Sequence, residues 1–591
     1  MALPLIVALV PLLIAPGLLF FYDVTPKVAL LLLGVAAALP WTAPGRLTAR
    51  REGRRLLAVC AAAAGSLILS SVFSSRPDLS VFGTNWRRFG LITQLAALLF
   101  ALAAAADMAG GGRLRAYLRA SAAAAIPVSL YGVAQYFGLD PWLPKQAYHV
   151  GEGVWTIVRP PSTLGYVSYF AGYLVFAVFL GAALYTVEER GWWKRAGAAA
   201  AALGSVAIVL SGTRGAMLAL LAGAVYLWFW FGRRIPRRVA LLGAAGVVAL
   251  GVFYYSPGGQ MLRSRARWYA EDAWGGARLL LWRDSLALAG RHWLIGAGPE
   301  TFSTGFPAVQ SAALSRAYPD FYHESAHNIL LDALTAQGAF GLVALMALIA
   351  LALTQAQRAE GALGGLLGAC FAAGLVANQF VVFTAPTALY FYLVTAMLVS
   401  QGKPVGAPNR LSPLVWAPLS IVLAVLAARL LAADYLLERL RLDLDSGSSP
   451  DAALQYQRVR AWGLTADIWY SRRMAEAARA AGDPVSQLRA WQQALEAGYR
   501  ATKTAEDPHN AWYSLATLHA RQDDFFQTEK CLRGAIQAAP RWFKPHWMLA
   551  QTLLAKGRRD EARGEARLAA ELNGGRNPEV IRTLKRTLSE Q

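Results

Sequence analysis

Thirteen apolar stretches fill most of the first 435 residues, beginning near Leu3, Val28, Leu56, Leu91, Ala120, Leu164, Ala196, Ala216, Val239, Ile329, Ala362, Thr387 and Leu414. In a hydrocarbon layer every backbone N–H and C=O must be satisfied within the chain, so runs of this kind fold as helices that cross or enter a membrane. They predict an all-α fold: a polytopic helical membrane protein of about 12–13 spans over residues 1–435. Two runs, Val28 to Trp41 and Thr387 to Ser400, are short, as halves of a re-entrant pair or spans of a thin membrane would be. The first run has no basic residue before Lys27 and no small-residue cleavage site, so it reads as a retained span and not a signal peptide. Cys60, Cys370 and Cys531 lie in two apolar runs and a distant polar region, where no pair is placed to bridge.

A formal charge of +21 would suggest a nucleic-acid partner in a soluble chain. Its distribution argues against one. From Leu436 onward there are 24 Lys/Arg against 19 Asp/Glu, which leaves 33 against 17 in the apolar part, where positive charge sets topology and holds anionic membrane lipids. With residue 1 in the cytoplasm, loops 42–55, 107–119, 187–195, 232–238, 354–360 and 401–411 lie inside and carry 18 Lys/Arg. The short outer loops 22–27, 73–89, 137–162, 211–215 and 381–386 carry 7, so the positive-inside rule selects this orientation. The long segment 256–326 and the C-terminal part then lie outside, the latter because the number of spans is odd.

Residues 436–591 are helical and charged in character, and Leu515, Ala516 and Ala535 recur 34 residues later as Leu549, Ala550 and Ala569. With Trp512 and Pro540 this resembles tetratricopeptide repeats, with a degenerate earlier copy between Trp469 and Ala497. Such helix pairs stack into a groove that docks an acceptor or partner polypeptide, or they act as a lid or stabilising cap.

Three places at the outer boundary carry candidate chemistry. Ser211-Gly-Thr-Arg-Gly215 is a tight turn that sets Arg214 at the interface, to bind an anion or to snorkel to lipid phosphate. Gly276-Ala-Arg-Leu-Leu-Leu-Trp-Arg-Asp284 opens a helix with Arg278 at its start and Trp282 four residues on, and Gly296-Ala-Gly298 forms a turn after it. The fixed donor fork of Arg278 suits a diphosphate, although Arg263, Arg265, Arg267 and Arg278 could equally be a patch that grips headgroups. His323-Glu-Ser-Ala-His-Asn328 matches His-Glu-x-x-His, which on a helix would place two imidazoles on one face for zinc with Glu324 as base. No third ligand is evident nearby, and a plain interfacial histidine pair is the other reading.

Taken in order, these residues resemble the O-antigen ligase and polymerase superfamily of bacterial lipid-linked glycan transferases, best between Arg159 and about Leu353. Arg159-Pro-Pro-Ser-Thr-Leu-Gly165 looks like the family's arginine-bearing start of a span, and Ser211 to Gly215 like its arginine turn. Arg278 with Trp282, Gly296-Ala-Gly298 and His327-Asn328 follow in the family's order. Gly83-Thr-Asn-Trp-Arg-Arg-Phe-Gly90 and Tyr131-Gly-Val-Ala-Gln-Tyr136 look like segments of members with tetratricopeptide tails. A thirteenth span departs from the twelve of lipopolysaccharide ligases, and an outward C-terminal domain is closer to protein O-oligosaccharyltransferases.

The resemblance implies a multi-pass protein of the bacterial inner membrane that moves a glycan from undecaprenyl pyrophosphate to an acceptor hydroxyl on lipid A core or a protein, at the periplasmic face, with no metal and no cofactor. It implies Arg214, Arg278 and His327 as catalytic residues and Arg88, Arg159 and His323 as donor or acceptor contacts. The alternatives are an O-antigen polymerase, an intramembrane zinc protease built on His323, Glu324 and His327, and a non-catalytic membrane scaffold or transporter.

Overall fold

The computed structural model describes residues 2–151, 156–232, 237–271, 276–402, 412–447, 451–463 and 465–589. Each apolar run forms a helix there. Among the described residues six helices are long and apolar enough to cross a membrane: Arg51–Val72, Leu91–Ala109, Val167–Val187, Gly191–Ser211, Ile329–Arg358 and Pro413–Asp445. Shorter apolar helices accompany them, among them Arg214–Trp230, Gly361–Ala377 and Ala385–Ser400, as does Leu114–Tyr136, which carries Pro127 in its interior. The protein is thus an all-α polytopic membrane protein, with one two-stranded ribbon, His149–Val150 against Ile157–Val158, among the described residues. The first run gives only Ala2–Leu9, eight residues and so about 12 Å of helix. Pro11 and Pro16-Gly17 follow closely and break the run, as residues lacking an N–H or adopting a positive φ do.

Contacts sort the loops onto two ends of the bundle. At one end Arg50 Nη1 donates to the Ser400 carbonyl at 2.9 Å, Arg119 pairs with Glu188 at 2.6 Å, and Trp230 Nε1 reaches the Gly361 carbonyl at 3.2 Å. These belong to the loops rich in Lys and Arg; parts of 232–238 and 401–411 lie outside the described residues. At the other end Lys27 Nζ donates to the Thr163 carbonyl at 2.7 Å, Ser74 Oγ to the Ala297 carbonyl at 3.0 Å, and Ile329 N–H to the Asn378 carbonyl at 2.9 Å. The C-terminal helices join this second end. Arg76 Nη1 donates to the Ala505 carbonyl at 2.9 Å, Asn85 Nδ2 to the Thr465 carbonyl at 2.8 Å, and Thr304 Oγ1 to the Glu506 carbonyl at 2.9 Å.

The C-terminal part is reached without a linker. Helix Pro413–Asp445, 33 residues and about 50 Å long, runs out of the bundle and places Leu437 and Leu440 in the core of the C-terminal helices. Those helices pack in successive pairs: Asp467–Ala480 with Pro484–Thr504, Pro508–Ala520 with Phe525–Ala538, and Phe543–Ala555 with Arg559–Asn573. Leu515, Ala516, Ala535, Leu549, Ala550 and Ala569 are all fully buried, so the recurrent positions are those where paired helices touch. Proline at the first position of Pro484–Thr504 and Pro508–Ala520 costs no hydrogen bond, because that N–H has no partner within the helix.

Helix Ile329–Arg358 is two helices broken at Gly338, whose φ is +64°. Residues 293–298 insert into the break: Ala297 N–H donates to the Thr335 carbonyl and Gly298 N–H to the Ala336 carbonyl, both at 2.9 Å, and Ala339 N–H donates to the Trp293 carbonyl at 2.8 Å. These bonds satisfy backbone groups that the break frees. A Cβ on Gly338 would lie 2.4 Å from the Leu294 carbonyl carbon. Gly338→Ala is therefore expected to destabilise the fold by about 1–3 kcal/mol, read as a lower unfolding temperature in detergent. Gly65→Ala, at a helical position with nothing within 4 Å of the added carbon, is expected to leave it unchanged or raise it.

Candidate functional site

Two adjoining cavities open at the end of the bundle that carries the C-terminal helices. The first, of about 190 Å³, is lined by Arg159, Arg214, Arg265 and Arg278. The second, of about 680 Å³, is lined by Arg87, Arg159, Tyr169, Glu324 and His327. Arg159 and Tyr166 belong to both.

Local structure brings the four arginines together. Gly212 ends helix Gly191–Ser211 in the left-handed conformation, Thr213 is extended, and Arg214 starts the next helix. That chamber wall therefore includes the positive end of a helix dipole as well as a guanidinium. Tyr269 lies beneath two of the arginines, its ring centroid 4.0 Å from Arg214 Cζ and 5.0 Å from Arg265 Cζ. Phe380 braces a third, 5.5 Å from Arg278 Cζ. A Cβ on Gly215 would come within 3.0 Å of Phe380, so glycine there lets the ring sit against the turn. Arg159 follows the ribbon, its N–H bonded to the Tyr148 carbonyl at 2.8 Å, and its Nη2 donates to Tyr166 Oη at 2.6 Å.

His327 has a positive φ of +51°, uncommon for a residue with a Cβ. Its neighbours impose that conformation. Ala326 donates its N–H to Asp332 Oδ1 at 3.0 Å, and its carbonyl accepts from Trp282 Nε1 at 3.0 Å. Asn328 caps the following helix by accepting from Leu330 and Leu331 N–H, both at 3.1 Å, and its Nδ2 reaches Gln379 Oε1 at 2.9 Å. Burial, with the charges of Arg278 and Arg87, holds the His327 imidazole down at about 4, so it is neutral at physiological pH. Beside it, Glu324 Oε1 accepts from Tyr169 Oη at 2.7 Å.

Of the residues singled out in the sequence, Arg159, Arg214, Arg278 and His327 line the joined cavities, whereas Arg88 and His323 lie elsewhere. Arg88 has a φ of +53° and turns toward the C-terminal helices, bonding to Asn85 Oδ1 and lying 5.7 Å from the Phe21 centroid. Its neighbour Arg87 takes the place beside the site and forms a buried ion pair with Glu300 at 2.7 Å. Glu300 also accepts from Thr84 N–H at 3.1 Å and Thr84 Oγ1 at 2.6 Å. His323 sits between Phe306 and Phe321, with centroids at 5.5 and 5.0 Å. The zinc reading loses its geometric premise here: residues 321–328 are not helical, so His323 and His327 do not share a helix face. Among the described residues no three His, Cys, Asp or Glu side chains are grouped as metal ligands.

The fold and site define a helical membrane protein with a basic cleft beside a neutral imidazole. Residues 199–346 match the family model described as O-antigen ligase. That stretch contains Arg214, Arg265, Arg278 and His327, and the likeness supports the ligase superfamily and a membrane glycosyltransferase type of function. No curated protein matches the chain.

Breaking the Arg87–Glu300 pair would leave a carboxylate buried without its counter-charge. Arg87→Met is expected to lower stability by about 3–5 kcal/mol, and Arg87→Met with Glu300→Leu to recover much of the loss. Thermal unfolding of the purified protein in detergent reads both.

Proposed function

We propose that the protein transfers a glycan from undecaprenyl pyrophosphate to an acceptor hydroxyl at the periplasmic face of the bacterial inner membrane, as an O-antigen ligase or protein O-oligosaccharyltransferase does, without a metal. One observation carries the reading: a chamber with four arginines shares a wall with the cavity that holds Glu324 and His327. A lipid diphosphate is already a competent leaving group, so the site needs chiefly to neutralise the charge that grows on it. Arg214, Arg278, Arg265 and Arg159 supply fixed cations, and the helix starting at Arg214 adds its dipole. The acceptor oxygen attacks the sugar C1 as the C1–phosphate bond breaks, which inverts that carbon. The acceptor proton passes to His327, and the electron pair leaves with the diphosphate.

Free His327 is a weak base because its burial, and after that the charges of Arg278 and Arg87, oppose its protonation. A bound diphosphate offsets that field and raises its basicity, which couples donor binding to proton acceptance. The C-terminal helix pairs are read as a periplasmic tetratricopeptide-like domain that covers the cavities and meets the acceptor, a lipid A core or a protein.

Release of undecaprenyl pyrophosphate from a purified lipid-linked glycan by the reconstituted protein tests this. Arg214→Ala, Arg278→Ala and His327→Ala are each expected to slow release by about 10²-fold or more while the protein stays in the membrane, with chelator having no effect. Near-normal rates in these variants reject the assignment. In the wild type, kcat/KM is expected to be flat from about pH 6 to 8 and to fall only as His327 becomes protonated at lower pH, and the same limb in kcat is expected at higher pH.

A further inference from the structure

A third cavity, of about 360 Å³, lies between the outer loop and the C-terminal helices and shares Trp86, Phe321 and Tyr322 with the cavity of His327. Its loop wall is aromatic: Tyr318 and Phe321 lie 5.6 Å apart, and Phe306 and Phe321 flank His323. Its other wall comes from the C-terminal helices, where the His509 and Trp542 rings lie 5.4 Å apart. Asp320 ties the walls together, pairing with Lys544 at 2.6 Å and accepting from Trp542 Nε1 at 3.3 Å. Carboxylates and an amide, Glu506, Asp507 and Asn510, line the same space.

This is a mixed surface. A wholly apolar side chain would make no use of these polar groups, and with Asp320, Glu506 and Asp507 beside Arg541 and Lys544 the space has no excess of positive charge to hold a free anion. A pyranose satisfies both: its C–H face packs on flat rings, and its hydroxyls donate to carboxylates and accept from N–H groups. His323 is 7% exposed, and neither ring nitrogen has a partner in the protein. Neutral imidazole offers one donor and one acceptor, a match for a sugar hydroxyl pair.

We propose that this cavity is a sugar-binding subsite, formed jointly by loop residues 303–323 and C-terminal residues 506–544, that holds pyranose rings one or more units away from the reacting centre. The inference rests on the glycan-transferase reading for its place in the reaction. The cavities run in order from the arginines through His327 to the aromatic walls, so a glycan attached to a bound diphosphate, or a glycan acceptor approaching His327, extends into it.

The test uses the full chain in nanodiscs. The probe is the free oligosaccharide released by mild acid from lipid-linked donor, followed by saturation-transfer NMR. Wild type is expected to bind it, and Trp542→Ala to weaken binding by about tenfold, the worth of one aromatic face. Asp320→Ala, at an exposed position, frees Trp542 and Lys544 and is expected to weaken binding in the same direction, with an unfolding temperature equal to that of wild type. Equal binding by wild type and both variants, or binding of a hydroxyl-bearing peptide but not the oligosaccharide, overturns the subsite.

Turnover separates the two sources of sugar. Donors of one and several sugars with a fixed acceptor form one arm, and acceptor glycans of different length with a single-sugar donor form the other. The variants are expected to reduce the KM advantage of longer glycan in the arm whose sugar occupies the cavity. Turnover with length dependence unchanged in both arms overturns the subsite alone. Absence of turnover in wild type with oligosaccharide binding intact overturns the transferase reading and leaves the subsite standing.

Discussion

The ion pair between Arg87 and Glu300 organises the end of the bundle that carries the C-terminal helices. It is buried on both sides, and such a pair persists only where further hydrogen bonds satisfy the remaining groups, which Thr84 provides for Glu300. It joins segment 83–90 to the turn whose backbone inserts into the break at Gly338. The same short segment faces the other way through Asn85 and Arg88, which engage Thr465 and the surroundings of Glu506. One stretch of chain thus holds the catalytic candidate His327 on one side and the C-terminal helices on the other.

Electrostatics explains why these cavities suit an anion. Arg159, Arg214, Arg265 and Arg278 gather at the membrane boundary, where burying like charges together is costly unless aromatic faces and a ligand offset it. Tyr269, Tyr166 and Phe380 supply the faces. The diphosphate of the proposed donor would supply the charge.

Much of this was legible in the sequence. The all-α, polytopic character followed from the apolar runs, because a hydrocarbon environment leaves the backbone so few choices. The count of 12–13 spans did not: six helices among the described residues are long and apolar enough to cross, and the first run is only eight residues of helix. Arg214, Arg278 and His327 stood out because charge at a membrane boundary is costly, and the structure places them in adjoining cavities. Arg87 and Arg88 could not be told apart by composition, since only the positive φ at Arg88 sends the two side chains in opposite directions. In the sequence Arg265 is one of several arginines of a candidate headgroup patch, and only the fold sets it with Arg214 over the ring of Tyr269. The His-Glu-x-x-His match suggested a helix, but Asn328 caps the helix at Ile329, and Asp332 and Ser325 take the N–H groups of Ala326 and His327 before it. A four-residue spacing carries no information about a shared face where the backbone is not helical.

The site also lies where the helices stop being regular, and for a physical reason. Non-helical backbone is tolerated at membrane depth only where protein or a water-filled cavity satisfies it. Three interruptions meet here: the turn at Gly212 and Thr213, the break at Gly338 filled by residues 293–298, and residues 378–384 between two short helices. The first and last position side chains that no straight helix could, Arg214 at a helix start and Phe380 under Arg278, while His327 is held in its unusual φ by bonded neighbours ahead of the helix at Ile329. The irregularities that interrupt these helices are what would allow them to surround a polar substrate at the edge of the bilayer.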